Sequence, residues 1–271
     1  MSSGVAPRRG VLRAGTSGFA YDAWVPAFYP RSLRAADRLA YYAGRLPTVE
    51  LNGTFNRRPS REAIAGWMAA TPPEFRFIVK AQRGAALRAL LHSPAESVAW
   101  QLEGLDAFED RLGAVLLRVP QNVRRDGPIM GGDPAVGDAH LRDLLAAWPA
   151  DGPRLVLEFH DTSWHVDETF AAVRERGAVL CATEGPGSRA TAGGLVPVVA
   201  GALASPTIRL TGDALYLRLR DDPYDGAAIE AWAARLAPFL DAGHDVYVFF
   251  RHDADGLATR AAATLQELAD S

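Results

Sequence analysis

A single parallel (β/α)8 barrel of the TIM class is the fold the sequence predicts, and three observations predict it. Eight short runs rich in Val, Leu, Ile and Phe recur along the chain, helical patterns separate them, and 271 residues is close to the roughly 250 that eight such units need. Strict alternation implies parallel strands joined by right-handed crossovers, and eight of these close most easily into a barrel.

The elements follow in order. Met1 to Gly10 has no periodicity and reads as a flexible tail, with one barrel domain over residues 11–271. The first strand, Val11 to Ser17, runs into Gly15-Thr16-Ser17-Gly18, whose glycines permit a tight turn. Leu33 to Arg45 has helical spacing and leads to a second strand, Thr48 to Phe55. Ser60 to Ala70 is the next helix, then the strand Arg76 to Gln82, the helix Ser93 to Arg111 and the strand Ala114 to Pro120. Gln121 to Gly137, with two prolines and several glycines, is a long connection over the carboxyl end of the barrel, read as a variable surface loop rather than a lid. The second half repeats the pattern: helix Asp138 to Trp148, strand Arg154 to His160, helix Val166 to Arg176 and strand Ala178 to Thr183. Gly185 to Pro206 is rich in Ala, Gly and Pro, so the sixth crossover is expected to be irregular. Ala214 to Arg220, Ala227 to Ala242, Asp245 to His252 and Leu257 to Ala269 complete the eight units.

Composition narrows the function classes. A net charge of -3 offers no global attraction to nucleic acid or anionic membranes, so any cationic site must be local. No apolar stretch reaches the about 18 to 20 residues of a membrane span, and the N-terminus lacks the apolar core of a signal peptide. The lone Cys181, in an apolar run, reads as a packed core thiol and fits a cytoplasmic protein.

Alternation along each strand locates the chemistry, because one parity packs under helices and the other faces the lumen. Val49 and Leu51 take the helix side, which turns Glu50 and Asn52 inward. The same sorting places Lys80 and Gln82, Arg118, Glu158 and His160, and Tyr216, Arg218 and Arg220 in the lumen. Strand eight leaves either Arg251 or His252 inward. These positions lie toward the carboxyl ends of their strands, where barrel enzymes hold their sites.

Lys80 is the only lysine among 29 basic residues, and a desolvated lysine can act as a base or an imine-forming nucleophile where arginine cannot. Glu50 and Glu158 are candidates for a general acid and base. Arg218, Arg220 and Arg251 lack an acidic partner of matching parity and suggest an anion-binding half-site, to which Thr16, Tyr21, Asn52, Arg118, His160 and Tyr216 add contacts. The competing reading is a salt-bridged plug, with Glu50 paired to Lys80 and Arg118 to Glu158. Glu158, His160 and His252 are candidate ligands for a divalent metal, although their spacing matches no compact motif. No phosphate-loop or dinucleotide signature is present, so no nucleotide cofactor is expected.

The chain also resembles the YecE-like family, domain of unknown function 72. The resemblance rests on Gly15-Thr16-Ser17-Gly18 with Tyr21 and Trp24, Phe28-Tyr29-Pro30, Tyr41-Tyr42-Ala43, Val49-Glu50, Asn52, Thr54-Phe55, Pro59-Ser60, Trp67, and Val79-Lys80 with Arg83. Sparser matches follow at Glu158-Phe159 with Ser163-Trp164, Tyr216 with Arg218, Phe249-Phe250, and Asp255-Gly256. Departures gather at later strand ends: His160-Asp161 where that family has Arg-His, Arg220-Asp221 for His-Gly, Arg251-His252 for an Asn pair, and Arg118 for a glutamine. The resemblance implies a divergent member, with an architecture akin to sugar-isomerase and endonuclease-type barrels and no particular reaction.

The leading expectation is an enzyme acting on a small anionic, phosphorylated or carboxylated, sugar-like substrate. A second is a barrel that binds nucleic acid or cleaves phosphodiesters, contacting it through Phe19, Tyr21 and Trp24 at the rim. A third is a ligand-binding barrel without catalysis. The sequence says nothing of oligomeric state.

Overall fold

The computed structural model describes residues 8–184, 207–220 and 224–271. Eight parallel strands form a closed barrel in sequence order: β1 (Leu12–Ser17), β2 (Thr48–Leu51), β3 (Arg76–Lys80), β4 (Leu112–Val119), β5 (Leu155–Phe159), β6 (Val179–Thr183), β7 (Ala214–Leu219) and β8 (Asp245–Phe250). Helices α1 (Arg38–Ala43), α2 (Arg61–Ala69), α3 (Arg83–Leu91), α4 (Pro94–Leu102), α5 (Pro134–Ala147), α6 (Asp167–Glu175), α7 (Gly226–Asp241) and α8 (Leu257–Asp270) lie in the connections. The sixth crossover lies outside the described residues.

The strands read as near-continuous apolar runs because both of their faces are covered. Leu12, Val49, Phe77, Val79, Val115, Leu117, Leu157, Leu215, Leu217 and Val248 pack outward beneath the helices. The lumen holds a second, smaller core that includes Ile78, Leu116, Val156, Cys181, Tyr216, Tyr247 and Phe249. Cys181 is buried there, and burial pushes its thiol pKa up, consistent with a packing role. The lumen is thus apolar in its lower part, and the next inward residues of β2, β3, β5 and β7 are charged.

Side-chain caps start α2 and α7 where the pattern predicted. Ser60 accepts from Ala63 N at 3.2 Å at the start of α2, and Asp225 accepts from Ala228 N at 2.8 Å at the start of α7. The Asp253 carboxylate takes the amides of Asp255, Leu257 and Ala258 at 2.7–2.9 Å and fixes the turn from β8 into α8.

Helix α1 begins at Arg38 rather than Leu33 and α5 at Pro134 rather than Asp138, and four further local expectations change. β2 ends at Leu51 rather than Phe55, because Asn52–Phe55 forms a 3-10 turn whose Thr54 hydroxyl contacts the carbonyls of Leu51 and Lys80 at 2.7 and 2.8 Å. An unexpected helix, α3, follows β3; its alanine-rich face carries little amphipathic signal, and Gln82 caps it by accepting from Ala85 N at 2.8 Å. The helix expected over Ser93 to Arg111 stops at Leu102, where Gly104 takes a left-handed φ of 82° that L side chains avoid. Arg8 to Gly10, expected in a free tail, is held: Arg9 pairs with Asp241 at 3.0 Å, and Gly10 N donates to Leu240 O at 2.7 Å.

The connection after β4 is anchored. Arg125 makes a bidentate pair with Asp138 at 2.6 and 2.7 Å, and Val123 O accepts the Trp164 indole N–H at 2.7 Å.

Candidate active site at the carboxyl end of the barrel

Strand register sets the site. Ser17 lies beside Glu50, Arg118 beside Glu158, and Thr183 beside Arg218. Barrel closure then lets β7 reach across the lumen to β2 and β5. Arg218 joins the two carboxylates: its Nη1 contacts both Glu158 oxygens at 2.8 Å, and its Nη2 donates to Glu50 Oε1 at 2.8 Å. This corrects the expectation that Arg218 lacks an acidic partner. Parity alone compares neighbouring strands, whereas a closed lumen brings side chains together across its width.

Each carboxylate is saturated with donors. Glu50 accepts from Ser17 Oγ at 2.7 Å and Tyr216 OH at 2.8 Å, and Lys80 Nζ lies 3.2 Å away. Glu158 accepts from Thr183 Oγ1 at 2.9 Å and pairs with Arg118 at 2.8 Å, with His160 Nε2 at 3.2 Å. Both glutamates are fully buried. Burial alone would raise the Glu50 pKa, but the charges of Arg218 and Lys80 and the Ser17 hydrogen bond hold it down at about 2. Glu158 likewise sits well below the usual carboxylate range: burial is opposed and outweighed by Arg218 and His160. Neither is built as the protonated partner of an acid–base pair near neutral pH. The plug reading is therefore correct for this lower layer.

Lys80 is different. Its Nζ donates to Asn52 Oδ1 at 2.8 Å and lies above the Phe55 ring, 5.8 Å from the centroid. Burial, aided by Arg218 and Arg118 and opposed by Glu50, lowers its pKa to about 8. Because Lys80 is the chain's one lysine, protein grown with 15N-lysine should give a single side-chain amine resonance, titrating near pH 8 rather than 10.5. Glu50→Gln should move that midpoint lower by removing the nearest negative charge. A midpoint above 10 would contradict the geometry.

Above the carboxylates is a cavity of about 290 Å³, whose lining includes Lys80, Arg218, Arg220, Arg251, Asn52 and Ser17, with Phe55 and His252 beside them. The lining carries four cationic residues and no carboxylate. Among the described residues, Arg220 and Arg251 form no ion pair, and the buried Arg218 Nε has no hydrogen-bond partner. Another cavity, of about 350 Å³, opens at the amino-terminal end, but its arginines are engaged: Arg154 by Asp213 and Arg176 by main-chain carbonyls.

Other predicted residues fall elsewhere. Thr16 shares the outward parity of Leu12 and Ala14; it is fully buried, its hydroxyl 2.7 Å from Gly18 O and 2.9 Å from Tyr42 OH, so it does not reach the cavity. Tyr216 sits beneath Arg218 as a Glu50 donor, also out of ligand reach. His160 and Arg118 contact Glu158 and each other but do not line the cavity. Tyr21 donates to Ser17 O at 2.6 Å, receives Asn52 Nδ2 at 2.9 Å and stacks on His252 at 4.5 Å between centroids.

Ser17, Phe55 and Thr183 belong to the site and were missed. Ser17 was legible, since Leu12 and Ala14 place it inward by parity. Thr183 was not, because β6 is apolar on both faces. The three metal candidates do not converge: Glu158 faces Arg118 and Arg218, while His252 stacks on Tyr21. Among the described residues no three His, Cys, Asp or Glu side chains form a metal-holding group.

Barrel and cavity define a (β/α)8 protein with a cationic pocket over a buried ion-pair network. The chain belongs to the family described as Protein of unknown function DUF72, which matches residues 13–271. A DUF72 family protein from Thermotoga maritima is similar over 96% of this chain and 100% of its own, with 22% identity and a TM-score of 0.74. One from Enterococcus faecalis covers 97% and 99% of the two chains, with 17% identity and a TM-score of 0.71. At these identities the likeness concerns the fold. No curated protein matches the chain. Among the described residues no helix is long and apolar enough to cross a membrane.

Proposed function

We propose that this protein is an enzyme acting on a small anionic substrate, phosphorylated or carboxylated, bound in the cavity at the carboxyl end of the barrel. The observation that carries the reading is the lining itself: Lys80, Arg218, Arg220 and Arg251 with no carboxylate, two of the arginines unpaired among the described residues. Arg220 is half-buried and Arg251 exposed, and cations crowded together without a carboxylate are stabilised by an anion. Arg220 and Arg251 grip the acidic group. Lys80 is the reactive group: a neutral amine has two hydrogens, for which Asn52 Oδ1 and Glu50 Oε1 are acceptors, and its lone pair is left for the ligand. With a pKa of about 8 it exchanges a proton near neutral pH. Glu50, held by Arg218, Ser17 and Tyr216, positions that amine instead of serving as the acid.

Calorimetric titration with inorganic phosphate at low salt tests the binding half. Wild type should bind, and Arg220→Ala and Arg251→Ala should each weaken binding by about tenfold, the worth of one charge-assisted contact. Absence of phosphate binding, or indifference to both substitutions, overturns the reading. The nucleic-acid alternative has less support. Trp24 is fully buried with its indole N–H on Asp253 O, so it offers no platform to a base, and His252 leaves Tyr21 a single open face.

A further inference from the structure

Asn52 lines a second space as well. A cleft of about 790 Å³ lies among the loop after β1, the 3-10 turn after β2 and the start of α2. Its walls are largely apolar: Phe19, Tyr21, Leu51, Ala63 and Trp67, with Gly53 adding no side chain. Phe19, Tyr21 and Trp67 are only half-buried, so part of each ring stays open. Trp67 is braced from behind by Phe77 and Phe108, stacked at 6.5 and 6.1 Å, which presets its orientation. The cleft contains no carboxylate; of its two arginines, Arg58 is committed to Glu103 at 2.6 Å, and Arg57 is exposed with no ion pair among the described residues.

Size separates the roles of the two spaces. The cationic cavity, about 290 Å³, sits at the lower limit of ligand pockets, which run from roughly 300 to 1,000 Å³, and holds little beyond an acidic group. The cleft alone has the room and the aromatic walls for a ring; its unpaired cation, Arg57, is exposed to solvent, whereas the buried Lys80 and Arg218 and the half-buried Arg220 lie beyond Asn52. Asn52, its amide fixed by Lys80, Ser17 and Tyr21, is the wall they share.

We infer that the two spaces form one bipartite site, in which the acidic group of the substrate lies among Lys80, Arg220 and Arg251 and a planar aromatic portion of the same molecule lies in the cleft against Phe19, Tyr21 and Trp67. The inference rests on the anionic-substrate reading and names the class of molecule, an aryl or heteroaryl phosphate or carboxylate.

The test compares inorganic phosphate with phenyl phosphate by calorimetry on the full chain. Wild type should bind phenyl phosphate about tenfold more tightly, the factor one aromatic contact supplies. Gly53→Leu fills the cleft, and the change is sterically open, since an added Cβ meets nothing within 4 Å. Ala63→Trp fills it from α2. Each variant should lose the gain for phenyl phosphate and keep the wild-type affinity for phosphate. Equal binding of the two probes by wild type overturns the bipartite site and leaves the anion site standing, as does a gain that survives both substitutions. If neither probe binds, the anion site and the bipartite site fall together.

Discussion

Arg218→Met will destabilise the protein by about 3 to 5 kcal/mol, the cost of removing one partner from a buried ion pair. At roughly 2–4 °C per kcal/mol for a domain of this size, the melting temperature should fall by on the order of 10 °C. The reason lies in what Arg218 separates. Glu50 and Glu158 are both fully buried, and among the described residues this guanidinium is the one group that touches both, at 2.8 Å to each. Without it, Glu50 keeps Ser17, Tyr216 and Lys80, and Glu158 keeps Thr183 and Arg118, but two carboxylates face each other across a dry lumen. Methionine is of similar length and fills the space, so packing loss is a minor part of the effect. The triple variant Arg218→Met, Glu50→Gln, Glu158→Gln should recover a substantial part of the loss, because it removes the uncompensated charges. A fall below about 1 kcal/mol, the value of an exposed pair, would mean that solvent reaches the network.

Acid should act on the same group of residues. The Glu50 pKa is depressed from 4.5 to about 2, so its contribution is fully present above pH 4.5 and is lost as the pH falls from there toward 2. The span corresponds to on the order of 3 kcal/mol. Glu158, depressed in the same direction, adds to the loss. Urea unfolding at pH 7 and at pH 3 reads this directly, as a lower midpoint with little change in slope. Glu50→Gln removes one titrating group and should flatten the dependence between pH 4.5 and 2 while lowering stability at pH 7. The same steepness in wild type and Glu50→Gln would assign the acid sensitivity to other carboxylates.

These two experiments probe the layer beneath the cavity; phosphate and phenyl phosphate probe the cavity and the cleft. The division matters because the charged residues serve two purposes. Glu50, Glu158 and Arg218 are mutually satisfied and rigidify the carboxyl end of the barrel. Arg220 and Arg251 are left without a carboxylate among the described residues, and Lys80 lies between the two sets, touching Glu50 below and lining the cavity above. A network of this kind holds the Lys80 amine in place at a lowered pKa.

Much of this was present in the amino-acid sequence. Runs of apolar residues bounded by Gly, Pro and Asp determined eight strands, and parity determined that Glu50, Lys80, Arg118, Glu158 and Arg218 face inward. Both are local properties, set by the alternation of side chains along an extended backbone, and they survive any uncertainty about neighbours. The singular lysine was visible as a count. The 3-10 turn that ends β2 was hidden because Asn52, Gly53 and Thr54 continue the alternation of the strand before them. Helix α3 was hidden because its alanines mark no face. What only the tertiary structure decided is which charges meet: that Arg218 spans the lumen to two glutamates on β2 and β5, that Thr16 turns toward Tyr42 while Ser17 reaches Glu50, and that an aromatic cleft borders the cationic cavity at Asn52. Contacts across a closed lumen depend on barrel closure and stagger, a property of all eight strands together, so no single strand's pattern could specify them.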